Sequence, residues 1–155
     1  MRVHELMSQP VSVCDVNDAL VRPAMLMWEN DCGAIAVVRD DGVLVGMITD
    51  RDICMAAYTQ GRNLEDILVN VAMAYPVIST TADQDVHEVE ALMAVHQVHR
   101  MPVVDADGKP IGMLSLTDLA RASVEARSPI KDGVARVAHL LAAVTSPRLH
   151  RRKAA

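Results

Sequence analysis

Phenylalanine is absent from the 155-residue chain, and the other aromatics amount to one Trp and two Tyr, against ten Met. A core therefore has to be built from Val, Leu, Ile, Met and Ala. Methionine fills irregular gaps and tolerates repacking, which suits a module that shifts shape on binding, although a compositional habit of the source genome leaves the same mark. Also lacking is any run near the roughly 20 apolar residues that span a bilayer. The opening stretch from Met1 to Met7 has no apolar core of a signal peptide, so the expectation is a cytoplasmic protein with no membrane partner. Positive charge is short: 15 Lys and Arg face 20 Asp and Glu, for a net charge of −5. That argues against nucleic acid, whose binding is driven by phosphate neutralisation. The basic tail His150-Arg151-Arg152-Lys153 reads as a solvated end. Cysteine is scarce and odd in number, and Cys14, Cys32 and Cys54 form no Cys-x-x-Cys spacing, so no disulfide framework is expected and the three read as small buried hydrophobes.

What is present is a duplication. Sliding the sequence by 66 positions lays residues 3–53 on 69–119 without a gap, with 13 identities in 51 positions, among them Pro10/Pro76, Gly42/Gly108, Gly46/Gly112 and Asp52/Asp118. Each copy reads β-α-β-β-α. A short strand follows the proline (Val11–Val13, Val77–Ser79). A helix comes next, whose second copy places Val86, Val89, Leu92, Met93 and His96 on one face, with Asp83 as its N-cap. An apolar strand (Ala34–Val38, Met101–Val104) leads through Asp41-Gly42 or Asp107-Gly108 into a hairpin and a closing helix from about Asp50 or Leu116. Gln60-Gly61-Arg62-Asn63 connects the copies and Ser128-Pro129 ends the second. Val134, Val137, Leu140, Leu141 and Val144 form the apolar stripe of one more amphipathic helix, packed on its own domain or against a second copy. The expected organisation is 1–62, 63–126, and a C-terminal helix with basic tail over 127–155.

The strand-to-helix junctions carry the chemistry. Gly46-Met47-Ile48-Thr49-Asp50-Arg51-Asp52 and Gly112-Met113-Leu114-Ser115-Leu116-Thr117-Asp118 are both Gly-x-x-[Thr/Ser]-x-x-Asp. The hydroxyl and acid match a capping box. They also match a nucleotide site: free N–H groups at a helix start receive phosphate, an acid one turn on accepts a vicinal diol, and a preceding Gly lets a ligand approach the backbone. A cap can exchange its partner for a ligand, so the two readings are compatible.

These junctions, the doubled β-α-β-β-α order and Met101-Pro102-Val103-Val104-Asp105 resemble the cystathionine-β-synthase (CBS) domain family over about residues 3–124, and the tandem resembles a Bateman module in a small stand-alone protein. The resemblance implies an α/β fold of two repeats packed through their sheets with pseudo-two-fold symmetry, and two clefts for adenosine ligands (AMP, ADP, ATP, S-adenosylmethionine). It implies phosphate at Thr49 and Ser115, ribose at Asp52 and Asp118, and the base near Val13 and Ile35 or Ser79 and Met101. Arg51 and Arg100 are candidates for further phosphate charge, or plain surface residues. A homodimer in the form of a flat four-domain disc and an effector protein of unknown identity are the implied partners, with no obligatory cofactor. The first copy departs from the family at Ala36, where proline is favoured and Pro102 stands in the second, and at Pro23, which kinks its helix or forces a late start.

Three rival readings follow. An enzyme needs a nucleophile or base poised against a partner, and the two Asp residues fall in separate copies, so none is expected. A metal site has only His96 and His99 at plausible spacing, with His87, Cys14 or Cys32 to be recruited, short of the four ligands zinc takes, so no metal ligand is assigned. A ligand-free interaction module shares every feature above except an occupied cleft.

Overall fold

The two Asp-Gly hairpins turn where the sequence places them. Gly42 and Gly108 take φ of +81° and +77°, a left-handed conformation that glycine adopts without strain. The computed structural model describes residues 1–125 and 131–146. Its first repeat comprises β1 (Val13–Asp15), α1 (Val21–Glu29), β2 (Ala34–Val38), β3 (Leu44–Thr49) and α2 (Asp50–Gln60). The second comprises β4 (Thr80–Thr81), α3 (Val86–His96), β5 (Arg100–Val104), β6 (Pro110–Ser115) and α4 (Leu116–Glu125), followed by α5 (Lys131–Thr145). The fold is α/β, with two three-stranded sheets ordered β1-β2-β3 and β4-β5-β6. In each, the first pair is parallel and the second antiparallel. The registers repeat at the 66-residue shift: Cys14 faces Val37 as Thr80 faces Val103, and Ile35 faces Ile48 as Met101 faces Leu114.

Several expectations are corrected. The first strands begin later than read, at Val13 and Thr80, so only Val13 of the forecast Val11–Val13 and none of Val77–Ser79 is strand. The N-cap of α3 is Asp85, whose carboxylate accepts from the His87 amide at 2.9 Å, and not Asp83. His96 at the end of α3 is exposed. Pro23 sits in the first turn of α1, where an absent N–H costs no intrahelical bond, so the late start is the outcome and not a kink. Gly61 closes α2 in the left-handed conformation. Of the stripe on α5, Leu140 and Val144 are buried while Val134 and Leu141 are exposed. Only Cys14 is buried; Cys32 is half-buried and Cys54 exposed. The expectations for Ser128-Pro129 and the basic tail lie outside the described residues.

Packing crosses the boundary drawn from the repeat. Val3, Leu6 and Met7 pack into the core of the second repeat, while Ile67, Val69 and Met73 pack into that of the first. Backbone bonds fix both arms, from the Val3 amide to the Gln84 carbonyl at 3.1 Å and from the Val69 amide to the Asp18 carbonyl at 2.8 Å. Between the sheets lies a third apolar cluster of Ala34, Ala36 and Met47 with Val11, Val77 and Met113. The hairpins meet directly, the Leu44 amide donating to the Gly108 carbonyl at 3.0 Å. The repeats therefore share one framework, and a change in their relation strains these shared contacts.

Candidate functional site

Each junction forms the expected capping box. Thr49 donates to Asp52 Oδ2 from its amide at 2.9 Å and from its hydroxyl at 2.7 Å, and the Asp52 amide returns a bond to Thr49 Oγ1 at 3.2 Å. Ser115 and Asp118 repeat the pattern at 2.8, 2.6 and 3.3 Å. The box satisfies orphan donors at the start of α2 and α4 and sets an acid against the positive helix end. Both hydroxyls are thus committed to their own acid, and a phosphate reaches them only by exchange.

The two acids differ in what meets their other oxygen. Asp118 Oδ1 accepts from the Ser8 hydroxyl at 3.2 Å and lies 3.9 Å from the Arg121 guanidinium, with the Asp118 side chain 9% exposed. Asp52 Oδ1 accepts no hydrogen bond among the described residues, because Ala74 stands where Ser8 would be and Met55 where Arg121 would be. Around Asp118 opens a cleft of about 560 Å³. The first repeat supplies Ser8, Pro10, Val11, Ser12 and Asn30 to Ala34, and the second His99, Arg100, Met113, Ser115 to Asp118 and Arg121. Two arginines and a histidine face two acids, Asp31 and Asp118, and several small or apolar residues there. That combination accommodates an anion, a diol and a flat apolar ring in one space.

Three of the sequence expectations fall elsewhere. At Gly46 and Gly112 the close approach is made by another segment of the chain. A Cβ on Gly46 would lie 2.7 Å from Met73 Sδ and 3.1 Å from the Ala74 carbonyl, and one on Gly112 2.7 Å from Met7 Sδ and 3.2 Å from the Ser8 carbonyl, so each glycine admits the opposite arm. Ile35 and Met101 are fully buried in the two cores and face away from the cleft. Their neighbours Ala34 and Arg100 line it instead, since successive strand residues point to opposite faces. Val13 and Ser79 are exposed and do not line the cleft, nor does Arg51, whereas Arg100 does. The reading missed Arg121, Pro10, Val11 and Ser12. Arg121 lies three residues past Asp118 on the same helix face, a spacing that was available.

Among the described residues, no group of three His, Cys, Asp or Glu is placed to hold a metal ion, and no helix is long and apolar enough to cross a membrane. Burial, with Asp18 and Asp15 nearby, pushes the Cys14 thiol up to about 12, which keeps it a protonated, unreactive side chain.

The CBS domain family matches twice, over residues 3–58 and 64–125, and the chain belongs to that family. It is 36% identical over 118 residues to the CBS domain-containing protein YhcV of Bacillus subtilis, covering 76% of this chain and 82% of the relative. It is 30% identical over 117 residues to the uncharacterized protein MK0525 of Methanopyrus kandleri, covering 76% of this chain, but spans only 60% of that relative. Among solved structures, the CBS domain pair of protein MJ0100 in complex with 5′-methylthioadenosine and S-adenosyl-L-methionine superposes with a TM-score of 0.70 at 25% identity, over 78% of this chain and 98% of that one. Hypoxic Response Protein I with two coordinated zinc ions superposes with a TM-score of 0.70 at 28% identity, over 78% and 98%.

Proposed function

We propose that the chain is a regulatory sensor that binds an adenosine ligand in the Asp118 cleft and signals to a partner through the relation of its two repeats. The observation that carries this reading is the cleft itself, in which an almost buried carboxylate, two arginines and an apolar wall converge from both repeats. Asp118 Oδ1 accepts the ribose diol in place of Ser8 and Arg121. Arg121, 61% exposed and only 3.9 Å from the acid, swings to the phosphate or carboxylate of the ligand with Arg100. The base lies against Pro10, Val11 and Ala34. The ligands of the MJ0100 pair, both adenosine derivatives, support this choice of chemistry. Because the walls come from both repeats, ligand affinity depends on how the repeats lie, and binding shifts that arrangement by its differential affinity. No catalytic step belongs to this reading.

Thermal unfolding with AMP, ADP, ATP and S-adenosylmethionine, and GTP as control, tests it. A ligand at 100 times its dissociation constant adds about 2.7 kcal/mol, a rise of several degrees. Asp118→Ala removes the rise and Asp52→Ala keeps it. Both variants lose the same capping bonds, and because Asp118→Ala also loses the Ser8 bond and the Arg121 ion pair, each rise is read against the same variant's own ligand-free midpoint. No rise with any adenosine compound would leave the ligand-free interaction module, and equal loss in both variants would move the site away from the Asp118 cleft.

A further inference from the structure

The cleft around Asp118 is divided from the outer face of the first repeat by a short stretch of chain. In the second repeat, α5 lies over α3 and α4 and buries Leu140 and Val144 in the core. In the first repeat the corresponding groove between α1 and α2 is an open depression of about 1010 Å³, lined by Met27, Trp28, Asp50, Ile53 and Ala57 among others. Trp28 is the only Trp of the chain and lines the groove but not the cleft. Asp31, Cys32 and Gly33, between α1 and β2, line both spaces and so form the wall between them. Asp31 takes φ of +47°, a left-handed conformation uncommon for a residue with a side chain. Gly33 is the thinnest point of the wall. A Cβ there would lie 3.3 Å from Asp50 Oδ2 and 3.4 Å from Arg100 Nη1. Asp50 lines the groove and not the cleft, whereas Arg100, from the second repeat, lines the cleft and not the groove. A carboxylate and a guanidinium thus approach each other through the wall, across a residue that has no side chain. Among the described residues the Arg100 guanidinium has no hydrogen-bond or ion-pair partner.

We propose that Arg100 and Asp50 couple the cleft to the groove: an anionic group bound in the cleft draws Arg100 away from Asp50 and changes the charge that the outer face of the first repeat presents. The proposal rests on the ligand reading above. Across Gly33 the attraction between the two charges is modest, because Asp50 is exposed and water screens it. A phosphate or carboxylate inside the cleft is the better partner, since it accepts charge-assisted hydrogen bonds from the guanidinium directly. Once Arg100 has turned to it, the Asp50 carboxylate keeps its bond from the Arg51 amide at 2.7 Å but loses its nearby cation. Asp31 and Asp50 then give the groove an unbalanced negative end. The linkage runs both ways, so neutralising Asp50 frees Arg100 for the cleft. Gly33 is a positioning residue in this device, because any side chain there would stand between the two charges. A neutral adenosine engages Asp118 and leaves the pair as it is. The groove therefore answers to the anionic part of the ligand, not to its base or ribose.

Titration calorimetry of the full chain with AMP, S-adenosylmethionine and adenosine, beside Trp28 emission in the same titrations, tests the proposal. The expected result is that AMP or S-adenosylmethionine changes the emission in step with occupancy, while adenosine binds without that change. Asp50→Asn keeps an acceptor for the Arg51 amide and removes only the charge. It tightens AMP by about two- to five-fold, the worth of an exposed charge pair, and leaves adenosine unchanged. The same variant loses the emission change. Asp107→Asn, an exposed acid on the hairpin at the opposite end of β5 from Arg100, alters none of these readings. Circular dichroism confirms that both variants fold. Binding of AMP and S-adenosylmethionine with no change at Trp28 would overturn the coupling and leave the ligand reading standing. An equal change with adenosine, or an Asp50→Asn variant that binds AMP as the parent does, would overturn it as well. Binding of none of the three would overturn the ligand reading and the coupling together.

Discussion

The two halves of the molecule repeat the same junction almost atom for atom and use it in different surroundings. Both carry a capping box with the acid's Oδ2 held by the amide and hydroxyl of the cap. What differs is the neighbourhood: Ser8 against Ala74, Arg121 against Met55, and a helix over α3 and α4 against an open groove over α1 and α2. The motif therefore starts a helix in both repeats, and only residues outside it bring two arginines to one junction. Duplication supplies two equivalent frames, and divergence outside the shared motif, at Ser8/Ala74 and Arg121/Met55 among others, sets their surroundings apart.

The largest test of that division concerns α5. Leu140 is buried among Val89, Met93 and Leu119, so Leu140→Ala leaves a cavity and costs about 2–5 kcal/mol of stability. Trp28→Ala, in the open groove of the first repeat and 89% exposed, changes the stability of the chain by less than about 0.5 kcal/mol. Chemical denaturation of both variants at low protein concentration measures the contrast. A Leu140→Ala cost below about 1 kcal/mol would break the comparison, since α5 would then not seal the second repeat.

A smaller effect should be equal in the two halves. Ala at position 46 or 112 forces its Cβ against a methionine sulfur, which can move, and a carbonyl of the opposite arm, which can move less. Gly46→Ala and Gly112→Ala are each expected to cost about 1–3 kcal/mol and to agree with each other within about 0.5 kcal/mol. Unfolding midpoints with an unchanged m-value check this. If either variant instead kept its stability and lost only ligand affinity, the glycine would serve ligand approach after all.

The order β-α-β-β-α, both hairpins and the starts of α2 and α4 were legible because each rests on local chemistry, an Asp-Gly turn or a hydroxyl-and-acid cap, whereas Pro23 left a kink and a late start of α1 equally open. The exchange of arms was not. Nothing in the periodicity of Val3 to Met7 says that it packs on the far repeat, and the paired glycines, which signal close approach, do not say whether a ligand or a chain segment approaches. Two of the base-side residues lie one position from residues that line the cleft. Ile35 and Met101 were chosen from continuous apolar strands, where burial on both faces hides the alternation that distinguishes them from Ala34 and Arg100. Arg121 was missed because the reading followed the shared motif, and what sets the second junction apart lies where the copies disagree.

The smallest expected effect separates the two roles of the cap hydroxyl. Thr49→Ala and Ser115→Ala each remove the acceptor of one amide bond and one donor to the acid, for a cost of about 1 kcal/mol. Asp118 is also held by the Ser115 amide and by Ser8, so its carboxylate keeps its place when the hydroxyl is lost. Ser115→Ala should therefore leave the affinity for adenosine within about two-fold of the parent protein, a difference of roughly 0.4 kcal/mol. The comparison of AMP with adenosine by titration calorimetry then decides the matter. If the hydroxyl only caps the helix, AMP and adenosine affinities change together, and the phosphate is met by Arg100 and Arg121. If it also donates to phosphate, AMP alone weakens, by about ten-fold or more, the worth of a hydrogen bond to a charged group. Thr49→Ala, where Ala74 and Met55 replace Ser8 and Arg121, leaves both affinities unchanged, and any selective loss of AMP there would place a second ligand at the first junction.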